Sequence, residues 1–301
     1  MKDVHAMLTI GLIALEKGCQ TEPSEINGNW KLVQLARKGS RSVASELKAG
    51  AKKLDAVAVV GCHPAKARFA REALSLGKHV MVDFPAGKTS EETRRLKELA
   101  RSKDLQLYSP NLLKTEPGVN ELKQLVEDPS SKLLSLTINC NFATKGKEAY
   151  SMKLAQMLDL VEWIAGAKCA EAWARGSTRT VSAAAHVILT SHENGVKTLL
   201  NLRSNSMIGV STFRADCILE NLIVHLNPWA QSVLLERFGG TSVARVNWAV
   251  HTLQKALTNF QSLIDGGAKD LRLDDDSDRI LGLTRQLLSA RYDAPPNQQA
   301  A

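Results

Sequence analysis

Leu54–Pro85 reads LDAVAVVGCHPAKARFAREALSLGKHVMVDFP, and this stretch decides the fold class. Leu54–Val60 is a short continuous apolar run, the pattern of a strand buried on both faces of a parallel sheet. Gly61-Cys62-His63-Pro64 breaks it. Pro64 stands at a helix's first position, Ala65–Leu76 supplies helix formers, and Gly77 stops them. Lys78–Val82 is the next strand, ended by Pro85. Further out, Thr89-Ser90-Glu91-Glu92 is a capping box opening a helix to about Lys103, and Leu105–Tyr108 is a third strand. Strand, helix, strand, helix, strand at this spacing means consecutive βαβ units in a doubly wound sheet. Upstream, Trp30–Leu35 reads as a strand ending at Ala36. Met7–Leu15 has two readings. It is either the first strand of this sheet, or a helix with Asp3 as N-cap, Val4, Met7, Leu8, Leu12 and Leu15 on one face and Gly18 as stop. The spacing leans slightly to the helix.

Past residue 115 the character changes. Val119–Val126 is a linking helix closed by Asp128-Pro129, Lys132–Asn141 is a strand, and Tyr150–Ala165 is a helix with Leu154, Met157, Leu158, Val161 and Ala165 on one face. Alternating stretches follow at Ala184–Thr190, Val196–Arg203, Ile208–Arg214 and Leu219–Leu226, with Asn194-Gly195 as a hairpin signal. Helices return at Trp248–Leu263 and Ser277–Ala290. The expected organisation is a Rossmann-like α/β domain over 1–115, its N-terminal part eroded, and an α+β domain with an open antiparallel sheet over 116–301.

Composition narrows the function. The chain has 301 residues, 44% apolar and 23% charged, with Lys and Arg exceeding Asp and Glu by 39 to 31 for a net charge of +8. A mean hydropathy of −0.16 excludes a polytopic membrane protein, and the apolar share excludes a mainly disordered one. The positive balance favours anionic ligands. The basic residues lack interleaved aromatics, so a nucleic-acid partner is not expected. The cysteines lie far apart with no C-x-x-C pair, which argues against a disulfide framework or a structural zinc site and for reduced thiols in a cytoplasmic protein. His186/His192 and His225/His251 lack metal-ligand spacing, so no metal is expected. Met7–Leu15 is far short of the ~20 apolar residues that span a bilayer, and no small-residue cleavage site follows it, so no membrane partner is expected either.

Asp55–Val60, then Gly77-Lys78-His79-Val80-Met81-Val82-Asp83-Phe84-Pro85, then Thr89 and its helix resemble the Gfo/Idh/MocA oxidoreductase family. Phe260–Gly266, the acidic Asp274–Asp276 and the final helix are similar to that family's C-terminus. The resemblance spans about residues 30 to 291. It implies a dinucleotide-binding domain followed by an open antiparallel sheet whose pocket faces the nicotinamide. Departures accompany it. The lysine of the family's Glu-Lys-Pro turn falls on Phe84, as the biliverdin reductase branch similarly has an aromatic residue there. The family's catalytic Asp and His fall near Met152 and Gln156. If Met7–Leu15 is the strand, the glycines of the phosphate-binding turn fall on Ala14, Glu16 and Cys19, where the backbone needs glycine to approach a pyrophosphate.

Candidate site residues follow from these placements. Arg37, Lys38, Ser40 and Arg41 come after the second strand, where they suit a 2′-phosphate and favour NADP(H); a solvated basic turn is the alternative. Cys62 and His63 lie at a strand's carboxyl end, and His63 suits a phosphate or ribose contact, an acid role, or simply a cap on the next helix. Asp83 suits orienting a substrate or taking part in the chemistry, and Phe84 suits stacking on a flat ring; a plain strand-to-loop turn explains both about as well. Asn111 and Lys114 sit where the resemblance implies substrate contacts. Lys153, one turn before Gln156 on the helix's polar face, suits the role of the missing proton donor, with a solvated lysine as the favoured alternative on composition, and Gln156 suits a place beside the substrate. The expected activity is NADPH-linked reduction of a small carbonyl, imine or conjugated, biliverdin-like substrate. The alternative is a divergent member without redox activity, acting as a binding or assembly module. The open sheet is expected to pair two copies into a homodimer.

Overall fold

A computed structural model of the chain describes residues 7–15, 30–36, 43–143, 146–180, 183–205, 212–227, 232–237, 240–245, 252–266 and 276–289. The chain divides into two units, Met1–Thr115 with Val250–Leu281, and Glu116–Ala249 with Gly282–Ala301.

The first unit holds a five-stranded sheet, β1 (Leu8–Ala14), β2 (Trp30–Ala36), β3 (Ala56–Val60), β4 (His79–Val82) and β5 (Leu107–Tyr108), in the order β2-β1-β3-β4-β5. Every pairing in it is parallel. Helices α1 (Val43–Gly50), α2 (Lys66–Ser75) and α3 (Ser90–Ser102) alternate with the strands. On one face Val57, Val59, Val80 and Val82 pack with Leu47, Phe69, Leu74 and Leu96 of these helices. On the other, Ile10, Leu12, Ala56, Ala58 and Met81 pack with Leu253, Ala256, Leu257 and Phe260. A parallel strand buried on both faces is a continuous apolar run for this reason.

The second face corrects two expectations. Met7–Leu15 is not a helix: β1 pairs with β2 on one edge and β3 on the other, so tertiary pairing overrides a spacing that suits both periods. Gly11 is the local sign of it. A Cβ there would stand 2.5 Å from Leu35 Cδ1 and 2.9 Å from Leu54 Cδ1. Likewise the sequence reading put all of 116–301 in the second domain, whereas α6 (Thr252–Ile264) covers the parallel sheet, with Phe260 stacked on Tyr108 at 6.2 Å between centroids. Each such buried Leu or Phe stabilises by about 1.5–3 kcal/mol. A sheet of this kind must be covered on both sides, and sequence distance does not say by which segment.

The second unit begins with α4 (Pro117–Glu127), β6 (Leu133–Phe142) and α5 (Lys147–Ala165). Seven strands follow: β7 (Cys169–Thr180), β8 (Ala183–His192), β9 (Lys197–Asn205), β10 (Thr212–Leu219), β11 (Leu222–Asn227), β12 (Ser232–Arg237) and β13 (Gly240–Arg245). With β6 they form an eight-stranded sheet ordered β13-β12-β11-β10-β6-β9-β8-β7. It is antiparallel except for β6 against β9. Gly195, at φ +82°, turns β8 into β9 as Asn194-Gly195 predicts. The stretch expected at Ile208–Arg214 is β10 instead, beginning at Thr212. Residues 206–211 lie outside the described residues. β7, β12 and β13 were not foreseen, because their side chains alternate too weakly in apolarity. The last helix is α7 (Asp276–Ser289).

Candidate functional site

The carboxyl edge of the parallel sheet gathers Cys62, His63, Asp83, Phe84, Asn111 and Lys114 of the sequence-derived candidates. β1 and β3 are neighbours from which successive connections run in opposite directions, the crevice where open α/β sheets take ligands. Leu15 N–H donates to Val60 O at 2.9 Å, and Gly61, at φ +109°, turns the chain away immediately after β3. Cys62 behind it is buried. His63 is exposed, and its Nδ1 accepts the Ala65 N–H at 3.1 Å. That bond requires an unprotonated Nδ1, so a neutral His63 carries its proton on Nε2 and acts outward as a hydrogen-bond donor.

After β4 the turn Asp83-Phe84-Pro85 is tied down from three sides. Asp83 N–H donates to Val59 O at 3.0 Å, and Phe84 N–H donates to Pro110 O at 2.9 Å. Lys66 Nζ, from the first turn of α2, donates to Asp83 O at 2.5 Å. Asp83 and Phe84 are each 5% exposed, and Lys66 is 0% exposed. After β5, Ser109 carries a buried hydroxyl with no hydrogen-bond partner among the described residues. Asn111, also buried, accepts the Leu113 N–H on Oδ1 at 3.3 Å and the Lys114 N–H on its carbonyl at 2.9 Å. It thereby sets the short 3₁₀ turn Leu112–Thr115 that holds half-buried Lys114.

Sequence reasoning missed Lys66 and Ser109. A lysine in a helix reads as solvated, and only packing shows otherwise. Arg37, Lys38, Ser40 and Arg41 lie outside the described residues. Of the phosphate-binding turn, only Ala14 and Leu15 are described, and the Ala14 methyl is buried where the resemblance implies glycine.

In the second unit, α5 is buried nearly all round, Met152 and Gln156 included, so the polar face expected at Gln156 is absent. Half-buried Lys153 holds its ammonium 5.3 Å from the Phe142 ring centroid. Its charge pulls the buried Cys140 thiol down slightly, but desolvation dominates and pushes that thiol well above its ordinary range. Tyr150 OH and His186 Nδ1 are 2.7 Å apart, buried between α5 and β8. Burial raises the phenol and lowers the imidazole, so both are neutral near pH 7. His192 bridges Ala167 O at 3.0 Å and Thr198 Oγ1 at 2.9 Å as a packing residue. A cavity of about 340 Å³ on the other face of the sheet is lined by Arg214, His225, Asn227, Ser232 and Glu236. Among the described residues no three His, Cys, Asp or Glu converge as a metal site, and no helix is long and apolar enough to cross a membrane.

Residues 29–111 match the Gfo/Idh/MocA family, described as an oxidoreductase family with an NAD-binding Rossmann fold. No curated protein matches the chain in sequence. Solved structures share its fold at low identity. An aldose-aldose oxidoreductase from Caulobacter crescentus, complexed with glycerol, aligns with TM-score 0.72 at 15% identity over 93% of this chain and 96% of its own. A UDP-N-acetylglucosamine 3-dehydrogenase from Acidithiobacillus ferrooxidans aligns with TM-score 0.69 at 16% identity, over 93% and 96%. A biliverdin reductase from Synechocystis sp. PCC 6803, in complex with biliverdin and NADP+, aligns with TM-score 0.66 at 14% identity, over 93% and 98%. The parallel sheet followed by a mostly antiparallel one is the fold these structures share.

Proposed function

We propose that this chain, a divergent Gfo/Idh/MocA oxidoreductase with that family's NAD-binding Rossmann fold over residues 29–111, is an NADPH-linked reductase of a small carbonyl, imine or conjugated substrate. Biliverdin-like compounds belong to that class. The observation that carries the reading is the carboxyl edge of the parallel sheet. A positive-φ glycine at the switch point, a buried phenyl ring on the turn after β4 and a buried hydroxyl awaiting an acceptor after β5 suit a ligand with a flat ring. A bound nicotinamide would supply the hydride. Phe84 would lie against the ring and exclude water, and the proton would come from His63 or solvent. With Phe84, Met152 and Gln156 at the positions the family uses for acid–base work, this chain does not share the polyol chemistry those positions serve.

Preference for NADPH rests on Arg37, Lys38, Ser40 and Arg41 after β2, whose cations and hydroxyl suit a 2′-phosphate. Titration with NADPH and NADH, read by tryptophan quenching, tests it. NADPH is expected to bind more tightly, and Arg37→Asp to weaken it by ~1.5–3 kcal/mol, the scale of a charge-assisted contact. Equal affinities, or an unchanged mutant, contradict the NADPH preference.

A second reading, assembly through the sheet of the second unit, is favoured by Trp173, Val187, Leu189 and Ile218, each more than two-fifths exposed on it. Trp173 and Leu189 are direct cross-strand neighbours, and apolar pairs of this kind ask for cover. We propose a homodimer through that face.

A further inference from the structure

Lys66 breaks two rules at once. It is a fully buried ammonium, and it stands in the first turn of α2, at the positive end of the helix dipole. Taking an ammonium out of water carries a large desolvation cost that its contacts must offset. A rule broken at this cost directs attention to what the group holds. What the ammonium does is visible: it donates to Asp83 O, the carbonyl joined directly to the Phe84 nitrogen. The turn after β4 has lost the amine that the family resemblance implies on its second residue, and an amine reaches the same turn from α2.

We propose that Lys66 is the positioning residue of the ligand edge, fixing the Asp83-Phe84-Pro85 turn so that Phe84 meets the nicotinamide ring. This rests on the dinucleotide reading above. The Phe84 N–H to Pro110 O and Asp83 N–H to Val59 O bonds fix the turn's backbone donors, and Lys66 fixes its acceptor. Asp83 O and Phe84 N–H lie in one peptide plane, so loss of that charge-assisted bond leaves the plane held only by Phe84 N–H to Pro110 O, free to tilt about that single bond and carry the ring with it. The adenosine half of the ligand does not depend on this turn.

The test compares NADPH with 2′-phospho-ADP-ribose, which lacks the nicotinamide, by calorimetry on the full chain. For Lys66→Met we expect NADPH bound about tenfold or more weakly, with 2′-phospho-ADP-ribose within twofold of wild type. Lys66→Gln, which keeps an N–H donor, is expected to recover most of the loss. If the methionine variant fails to fold, the neutral glutamine decides: NADPH weakened at least about threefold with 2′-phospho-ADP-ribose unchanged supports the role, and wild-type affinity for both overturns it. NADPH affinity unchanged in both variants overturns the role of Lys66 alone. Equal weakening of both ligands overturns it too, since that marks a general loss of structure. Failure of the wild type to bind NADPH overturns the dinucleotide reading and this role with it.

Discussion

Phe84 carries the sharpest single-residue question. Its side chain is 5% exposed, and its N–H is held by Pro110 O, so the ring has one place to be. A phenyl ring neither gives nor takes a proton, yet it stacks and excludes water. Phe84→Ala is therefore expected to weaken NADPH binding while costing about 3–5 kcal/mol of stability, as a buried Phe truncation does. Phe84→Lys is not a repair. It adds an ammonium to a turn already bonded by the Lys66 ammonium, in a buried setting where an unpaired charge costs several kcal/mol. Thermal melts and assays with sugars and inositols check this. The expected result is a lowered melting temperature and no polyol dehydrogenase activity, and robust activity would show the acid–base apparatus to be intact after all.

Among the elements, the entry to α3 is where local sequence and packing agree most closely. Thr89 Oγ1 accepts the Glu92 N–H at 3.1 Å, as the capping box predicts, while Glu92 Oε2 reaches one residue further back to the Lys88 N–H at 2.9 Å. Gly87 makes the tight approach possible. A Cβ there would stand 2.7 Å from Glu92 Cβ and 2.9 Å from the Thr93 backbone nitrogen, and neither can swing aside. Gly87→Ala is expected to destabilise by about 1–3 kcal/mol through that overlap. The midpoint of urea unfolding reads it directly. A variant as stable as wild type would mean that the loop before α3 relaxes without disturbing the cap.

On the scale of the whole molecule, the outer face of the eight-stranded sheet decides how the chain presents itself. It carries Trp173, Val187, Leu189 and Ile218, together with the Arg214–Asp216 pair at 3.0 Å and the His225–Asp216 pair at 2.6 Å. Apolar residues interspersed with charges of both signs make a surface that a second copy can complement. Light scattering at micromolar concentration is expected to give about twice the 32.8 kDa chain mass, and Leu189→Glu to give the single-chain mass. A wild type that scatters as one chain sinks the dimer.

The parallel sheet was legible in Leu54–Pro85 because a strand buried on both faces must be apolar throughout, and because Pro64, Gly77 and Thr89 mark helix ends by local chemistry alone. The hairpin at Asn194-Gly195 was legible for the same local reason. Distance along the chain hid the rest. Whether Met7–Leu15 was strand or helix depended on edges offered by β2 and β3, and the period of its apolar residues served both. α6 belongs to the first unit because Ala56 and Ala58 leave room for Leu257 and Phe260, a fit between segments some two hundred residues apart. That Cys62, His63, Asp83, Phe84 and Asn111 stand at or just past strand ends was legible because each follows an apolar run closed by a breaking residue. Lys66 was not, since a lysine's charge predicts solvent, and only the tertiary structure turns it inward onto the Asp83 carbonyl. Sequence by itself determined the strands and helices of Leu54–Tyr108 and the carboxyl edge at which they end; the strand at Met7–Leu15, the later strands β7, β12 and β13, and the side chains that close that edge were decided by packing, because burial and long-range hydrogen bonds exist only once the elements have met.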